Sequence, residues 1–147
     1  MNGSISVYCD GLCEPVNPGG IATYGFAVFA DGAMIHQESG VVGEGQYMSN
    51  NVAEYSGLCA ALLWLLEKKL QQCTANIFSD SRLLVNQMSG RWKSHEGLYL
   101  KWYVEAKRLS QEFNKLEFQW IPREQNRLAD ALSREAYARY SENKKDM

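Results

Sequence analysis

Residues 4–42 decide the fold, and they read SISVYCDGLCEPVNPGGIATYGFAVFADGAMIHQESGVV. Alternation of apolar and polar side chains predicts three strands, at 4–10, 21–30 and 33–42. The first two are separated by residues 10–20, whose turn-forming composition predicts a loop. Asp31-Gly32 joins the second and third strands and is typical of a two-residue type I′ hairpin. The chain therefore opens with three strands connected in sequence order.

Helices and strands alternate in the rest of the chain. Residues 51–69 are predicted to be helical because apolar side chains recur at helical spacing, at Tyr55, Leu58, Leu62, Leu65 and Leu66. The same patterns predict strands at 75–79 and 116–120, and helices at 81–88, 97–114 and 126–140. This order favours an α/β fold, a five-stranded mixed sheet with helices on both faces. We expect one domain over 1–140 and a polar tail over 141–147 that frays.

The composition is that of an ordinary globular domain, with 147 residues, of which 46% are hydrophobic and 22% charged. The longest apolar run, Leu58–Leu66, is too short to span a membrane. No basic patch followed by an apolar stretch opens the chain, so we expect a cytoplasmic protein without a membrane partner. Its size and the absence of an obvious apolar patch favour a monomer. The net charge of −2 means that binding to a polyanion would need a local basic patch or bound metal ions.

Four cysteines are present, at Cys9, Cys13, Cys59 and Cys73. They are too few and too scattered for a disulfide framework, and their spacing does not match a zinc site. We expect reduced thiols, with Cys9 and Cys59 in the core. Neither Cys9 nor Cys13 has a histidine base at a suitable position, which argues against thiol catalysis.

Four carboxylates lie where predicted elements begin or end. Asp10 is expected to end the first strand, Glu54 lies in the first turn of a helix, Asp80 follows the fourth strand, and Asp130 lies one turn into the last helix. Ligands of open α/β sheets gather outside strand ends, so these side chains could converge. Such a cluster requires cations, and oxygen ligands suit Mg²⁺ or Mn²⁺. Two ions about 3.5–4 Å apart would clamp the attacking and leaving oxygens of a phosphodiester.

Each carboxylate also has an ordinary structural interpretation. Asn51 and Glu54 have the spacing of a capping box, and Asp80 could be a helix N-cap. Asp10-Gly11 is a common turn pair, and Asp130 could be a solvated surface charge. Taken one at a time, the residues leave both interpretations open.

Five short motifs occur in order along the chain: Tyr8-Cys9-Asp10-Gly11, Asn17-Pro18-Gly19-Gly20, Asn50-Asn51-Val52-Ala53-Glu54, Phe78-Ser79-Asp80-Ser81 and Ala129-Asp130-Ala131-Leu132. Together they resemble type 1 ribonuclease H, and within it the short archaeal-like form. The resemblance runs from about residue 4 to residue 138. Each motif alone would be weak, but their order and spacing are specific.

The resemblance implies a ribonuclease-H-like fold and a metal-dependent endonuclease that hydrolyses the RNA strand of RNA–DNA hybrids. Asp10, Glu54, Asp80 and Asp130 would be both catalytic and metal-binding, with Asp10 bridging two Mg²⁺ ions and Mn²⁺ as the alternative. A metal-activated water would be the nucleophile, and the products would carry 3′-hydroxyl and 5′-phosphate ends.

Distinguishing RNA from DNA requires contacts to the 2′-hydroxyl. The resemblance assigns these contacts to Glu54, to backbone groups around Gly11–Cys13 and to four polar side chains, Asn17, Asn50, Ser81 and Arg82. Turn formation explains Asn17 equally well. Trp92, between Arg91 and Lys93, could pack against a DNA sugar or phosphate. A local basic patch is formed in the sequence by Arg91, Lys93, Lys101, Lys107 and Arg108, although a solvated helix face accounts for the last three.

One departure from the family concerns the connection between the last strand and the last helix. Many members carry a histidine there, whereas this chain has Pro122-Arg123-Glu124-Gln125-Asn126, and its histidines are His36 and His95. We hypothesise that Arg123 contacts the scissile phosphate in place of that histidine. The alternative is that Arg123 pairs with Glu124 on the surface.

Three other functions remain open. Cleavage could extend to double-stranded RNA, or the chain could be a non-catalytic ribonuclease-H-like module that binds nucleic acid. The presence of all four acids argues against the second. An exonuclease of the same superfold would lack the Asn-Asn-x-x-Glu helix start and the three-strand opening.

Overall fold

The computed structural model describes residues 3–94 and 96–146. The described residues form five strands and four helices, with a short 3₁₀ turn at Arg123–Gln125 before the last helix. The strands are β1 (Ser4–Glu14), β2 (Ile21–Ala30), β3 (Ala33–Glu44), β4 (Thr74–Ser79) and β5 (Lys115–Trp120). The helices are α1 (Asn50–Glu67), α2 (Arg82–Met88), α3 (Leu100–Ser110) and α4 (Arg127–Lys145).

The five strands form one mixed sheet in the order β3-β2-β1-β4-β5. β1, β2 and β3 pair antiparallel, whereas β4 and β5 extend the sheet from β1 in parallel. The central strand β1 therefore has an antiparallel neighbour on one side and a parallel neighbour on the other. The predicted five-stranded mixed sheet is confirmed.

Helices cover both faces of this sheet, as adjacent residues of β2 show. The Thr23 hydroxyl donates to the backbone carbonyl of Ser133 in α4 at 2.8 Å. The next residue, Tyr24, packs against Gly57 of α1, where an added Cβ would lie 2.9 Å from the Tyr24 Cβ. Because successive side chains of a strand point to opposite faces, α4 and α1 lie on opposite sides of the sheet.

The main core lies between the sheet and α1. Tyr55, Leu58, Leu62 and Leu65 are fully buried there, as the helical stripe predicts, while Leu66 packs at the edge of the core. Cys9, Cys13 and Cys59 are buried free thiols, and Cys73 is half-buried. In the described part of the chain, none of the helices combines the length and the apolar character needed to cross a membrane.

The first strand is longer than its sequence pattern suggests. A loop was expected from residue 10 to residue 20, but antiparallel pairing with β2 continues from Asp10↔Gly25 to Glu14↔Ile21. Parallel pairing with β4, by contrast, stops at Tyr8↔Phe78. The expectation that Asp10 ends the strand was wrong. Asp10 instead lies just beyond the point where β4 separates from β1.

The two-residue hairpin between β2 and β3 is confirmed. Asp31 and Gly32 both have positive φ angles, 51° and 82°. A type I′ turn requires positive φ at both central positions, which Asp and Gly tolerate better than most residues.

The start of α1 differs from the predicted capping box. Ser49 is the N-cap residue, and its hydroxyl accepts a hydrogen bond from the Val52 backbone N–H at 3.1 Å. The helix therefore begins at Asn50, and the prediction that Asn51 caps it was wrong. Glu54 is consequently not needed for capping. Ser81, not Asp80, similarly caps α2 by accepting from the Leu84 N–H at 3.1 Å.

Two helices have ends that differ from those expected. α3 begins at Leu100 and ends at Ser110, within the predicted 97–114, because turns precede and follow it. α4 does not end near Tyr140 but continues to Lys145. Its last turns are attached to the end of β3, since the side chains of Tyr140 and Lys144 both donate to the Glu44 carboxylate. The expected fraying of Ser141–Lys145 is thus not observed.

Candidate active site

Three carboxylates from separate elements converge at the carboxyl end of β4. Asp10 comes from β1, Glu54 from α1, and Asp80 follows β4 directly. One carboxylate oxygen from each lies within 4.8 Å of the others. The convergence predicted for these three residues is therefore present in the fold.

Burial raises the pKa values of these acids. The pKa of Asp10, which is only 8% exposed, rises to about 8, first because of desolvation and then because of the nearby charge of Asp80. Burial and the charges of Asp10 and Asp80 raise the pKa of Glu54 to about 8 as well. The pKa of Asp80 is also raised, mainly by burial. Placing three anions together is therefore unfavourable unless protons or cations neutralise them.

Close contact between β1 and α1 brings Glu54 to Asp10. The strand lies so near the helix that a Cβ on Gly11 would be 2.5 Å from the carbonyl carbon of Ala53 and 2.6 Å from the Glu54 nitrogen. Only glycine fits at this position. The Gly11 N–H also donates to Oδ1 of Asp10 at 2.9 Å, which orients that carboxylate.

Asp80 is fixed through both its backbone and its side chain. The indole N–H of Trp120 donates to the Asp80 carbonyl at 3.1 Å. The Asn126 amide donates to Oδ2 of Asp80 at 3.5 Å and to the Cys9 carbonyl at 2.9 Å. Asn126 is only 1% exposed, so it connects Asp80 to the strand that carries Asp10 from inside the protein.

The fourth predicted acid, Asp130, is placed differently. It lies in the first turn of α4 and lines the same cleft, and its side chain is close enough to Asp10 to contribute to the raised pKa of Asp10. It does not belong to the group of three acids found within 4.8 Å of one another among the described residues. Arg134 instead donates from Nε to both Asp130 oxygens, at 3.2 and 3.1 Å.

The acids lie in a cleft of about 520 Å³. Four of the predicted substrate-binding residues also line it, namely Gly11, Asn50, Arg82 and Arg123. Ser81 adjoins the cleft, because its hydroxyl is within hydrogen-bonding range of Glu54. The guanidinium of Arg82 stacks on the Trp120 ring at 3.9 Å, and both residues line the cleft.

The other predicted substrate-binding residues do not line this cleft. Asn17 is exposed, and its side chain accepts from the Asn50 N–H at 2.9 Å, so it joins the β1–β2 turn to the start of α1. Cys13 is buried and donates to the Val16 carbonyl. Trp92 lies beyond α2 with 49% of its surface exposed.

Arg123 occupies the connection where the family resemblance led us to expect a histidine. Its positive charge is close enough to Asp80 to oppose the rise in the pKa of that acid. His36 stacks on Trp64 at 4.3 Å, away from the cleft, and His95 lies outside the described residues. Within the described chain, the alternative ion pair between Arg123 and Glu124 is not formed.

The predicted basic patch is divided among several partners. Arg108 pairs with Glu105, Arg91 donates to Asn86, and the Lys107 ammonium contacts the Met88 carbonyl. Lys101 lies 5.1 Å from the centre of the Trp102 ring. Lys93 is exposed beside Trp92. The surface is thus less uniformly available for phosphate than the sequence suggests.

Three residues of the site were missed in the sequence. Asn126 appeared only as the start of a helix, and Trp120 only as a strand residue. Arg134 carried a usable signal, because it lies four positions after Asp130 on a predicted helix, the spacing of an ion pair. The burial of Asn126 and the stacking of Trp120 depend on distant parts of the chain.

The residues of the cleft are suited to a divalent cation. All three clustered ligand atoms are carboxylate oxygens, the donors that Mg²⁺ and Mn²⁺ prefer. A cation among them would also offset the mutual repulsion that raises their pKa values. Asp10, Glu54 and Asp80 could therefore hold a metal ion.

Comparison with known proteins identifies the family. A family model described as "Reverse transcriptase-like" matches residues 30–136. The solved structure of the N-terminal RNase H domain of Rv2228c from Mycobacterium tuberculosis, a fusion with maltose-binding protein, superposes with a TM-score of 0.85 and 34% identity, covering 97% of this chain and 99% of that one. The chain belongs to the type 1 ribonuclease H family. The resemblance inferred from its motifs is confirmed.

Other members of the ribonuclease H family support this assignment. LC11-RNase H1, solved in complex with an RNA/DNA hybrid, is 33% identical with a TM-score of 0.82, and the match covers 92% of this chain and 98% of that one. The ribonuclease HI of Halobacterium salinarum is 30% identical over 134 residues, covering 91% of this chain and 64% of that protein.

This ribonuclease H chain spans about a third of the length of the curated mycobacterial relatives that it matches. It is 42% identical to the bifunctional protein Rv2228c over 122 residues, which are 82% of this chain and 32% of that protein.

Proposed function

We propose that this chain is a metal-dependent endoribonuclease that hydrolyses the RNA strand of RNA–DNA hybrids. The observation that carries the proposal is the convergence of Asp10, Glu54 and Asp80 oxygens within 4.8 Å in an open cleft. Membership of the ribonuclease H family supports it, as does the hybrid bound to the related LC11-RNase H1. The cleavage would leave 3′-hydroxyl and 5′-phosphate ends.

The four acids would hold two Mg²⁺ ions, with Mn²⁺ as the alternative. Asp10 would contribute to both positions, because it is the most buried acid and is close enough to Glu54, Asp80 and Asp130 to interact with the charge of each. When bound, such a pair of ions supplies a nucleophile from water and stabilises the charge that develops on the phosphodiester. The protein's own part is to hold the acids in place, through the Gly11 N–H and the Asn126 amide.

Substrate recognition would combine hydroxyl and phosphate contacts. Asn50, Ser81 and Glu54 offer hydrogen-bonding groups at the cleft for a 2′-hydroxyl. Arg82 and Arg123 line the same cleft and would offer guanidinium groups to the phosphates. Asn17, the Cys13 backbone and Trp92 lie outside the cleft. They would contact parts of a bound duplex that extend beyond it.

A cleavage assay tests the proposal. The protein is incubated with labelled hybrid, double-stranded RNA and double-stranded DNA, each with Mg²⁺, Mn²⁺ or EDTA. We expect cleavage of the RNA strand of the hybrid with metal and none with EDTA. Failure to cut hybrid with either ion, while hybrid is still bound, would favour the non-catalytic module instead. Cleavage of double-stranded RNA would extend the substrate range.

Binding of hybrid should depend strongly on salt. The chain has a net charge of −2, so binding would rely on a few local arginines and lysines that release counterions from phosphates. We expect the logarithm of affinity to fall linearly with that of salt concentration, with a slope of about −0.8 per phosphate contact. Fluorescence anisotropy of labelled hybrid in Ca²⁺ measures this slope, and a flat response would contradict the electrostatic model.

Size-exclusion chromatography tests the expected monomer.

A further inference from the structure

Arg134 binds the carboxylate of Asp130, the fourth acid that lines the cleft. The Asp130 oxygens both accept from the Arg134 guanidinium, at 3.2 and 3.1 Å, while the oxygens of Asp10, Glu54 and Asp80 form a group without Asp130. A guanidinium and a metal ion are both cations that bind carboxylate oxygens. The two Asp130 oxygens have about four lone pairs, and any that accepts from Arg134 is unavailable to a metal ion.

The position of Arg134 is set by the fold. Arg134 and Asp130 are separated by one helical turn on α4, so their side chains meet on the same face of the helix. Both residues line the cleft of the three clustered acids. The guanidinium is therefore part of the site and not a distant surface charge.

We propose that Arg134 is a positioning residue that occupies the Asp130 carboxylate in the metal-free site, and that a divalent cation must compete with it for the Asp130 oxygens. This inference rests on the proposed function, because it concerns the same metal site. The Asp130 oxygens are thereby already paired before a cation binds. Arg134 therefore raises the cation concentration that is needed before all four acids bind metal.

The expected size of the effect follows from exposure. The Asp130 side chain is 27% exposed and that of Arg134 49%, so the pair is partly screened by water. Partly exposed pairs of this kind are weak, and removing Arg134 should lower the dissociation constant of the cation by about two- to five-fold.

The same helix offers a matched control. Arg139 pairs with Glu135 at the same spacing, and both residues are exposed and outside the cleft. Arg139→Ala removes one positive charge and one ion pair from α4. It leaves the acids untouched, so its cation affinity should equal that of the unchanged protein.

The experiment measures Mn²⁺ and Mg²⁺ binding by isothermal titration calorimetry without substrate. Proteins to compare are the unchanged chain, Arg134→Ala, Arg134→Lys, Arg139→Ala, Asp130→Asn and the Asp130→Asn/Arg134→Ala double variant, with circular dichroism to verify folding. We expect Arg134→Ala to bind more tightly, Arg134→Lys to stay close to the unchanged chain, and the effect of Arg134→Ala to disappear in the Asp130→Asn background.

Two results would overturn the inference. Unchanged or weaker cation binding by Arg134→Ala would show that Arg134 does not compete. A gain that persists without the Asp130 carboxylate would show that Arg134 acts only through its general positive charge. These titrations contain no nucleic acid, so their result does not depend on whether the chain cuts hybrid. Failure of this inference can therefore be distinguished from failure of the proposed function.

Discussion

At Asp10, burial and neighbouring negative charge both act against the ionised carboxylate. We predict that Asp10→Asn lowers hydrolysis of hybrid by at least about 10³-fold, since losing a shared metal ligand removes several kcal/mol of transition-state stabilisation. The variant should fold normally, because the amide relieves repulsion in the metal-free cleft. Steady-state cleavage rates and circular dichroism measure the two effects. A fully active variant would place the catalytic centre elsewhere.

Arg123 lies in the cleft beside Asp80 and has no partner in Glu124, the neighbour that would compete for it. A guanidinium that binds a phosphate contributes about 1.5–3 kcal/mol. We therefore predict that Arg123→Ala lowers kcat/KM on hybrid by roughly ten-fold or more. Glu124→Ala, in the next position and exposed, is the control and should have little effect. If turnover and KM of Arg123→Ala both stayed the same, the assignment of Arg123 to the phosphate would be incorrect.

At the level of elements, β1 and α1 pack closely at Gly11. A methyl group at Gly11 would overlap the backbone of Ala53 and Glu54, and backbone atoms cannot rotate away as side chains can. We predict that Gly11→Ala destabilises the protein by about 1–3 kcal/mol, the usual cost of overpacking. Urea denaturation measures this loss. Gly3→Ala is the matched control, because no heavy atom lies within 4 Å of its added Cβ. Equal stability of the two variants would contradict the close contact.

Local elements could be predicted well from the sequence. The Asp31-Gly32 hairpin depends only on the φ angles of its own two residues, and the buried stripe of α1 depends on spacing within the helix. The end of a strand or helix could not be predicted where it depends on a partner that is distant in the sequence. β1 continues past Asp10 because β2 pairs with it, and α4 continues to Lys145 beside Glu44, about a hundred positions earlier in the chain.

In the candidate site, too, the residues within contiguous motifs could be predicted and the contacts between distant residues could not. The motifs around Asp10, Glu54 and Asp80 located the acids because each motif is contiguous. Their supporting contacts are not contiguous. The Asn126 amide donates to the Cys9 carbonyl across 117 positions, and no short pattern contains both residues. Only the Arg134–Asp130 pair, within one helix, could have been foreseen from spacing.

For the whole molecule, the raised pKa values predict that stability without metal falls as pH rises. The pKa of Asp10 is about 8 in the folded protein and near 4 in the unfolded chain, so between these values the folded state binds more protons. The stabilisation is complete below about pH 4 and is lost as pH approaches and passes 8.

The test of this pH dependence compares the chain with Asp10→Asn in EDTA. The variant lacks the titrating group, so its melting temperature should exceed that of the unchanged chain by a margin that grows from pH 5 to pH 9, reaching roughly 3 °C or more. Saturating Mg²⁺ should cancel the loss in the unchanged chain. A margin that stays constant from pH 5 to pH 9 would mean that Asp10 is already ionised at pH 5 in the folded protein.

The exposed hairpin at Asp31-Gly32 also divides the site unequally. Everything before it contributes one acid, Asp10, on β1, and everything after it contributes Glu54, Asp80 and Asp130. A backbone break at this tip would therefore give two fragments, each without a complete set of ligands. Joining them would require the β1–β2 pair of the first fragment to insert between β3 and β4 of the second. The hairpin is thus a natural place to split the chain into two inactive pieces whose reassembly would restore the metal site.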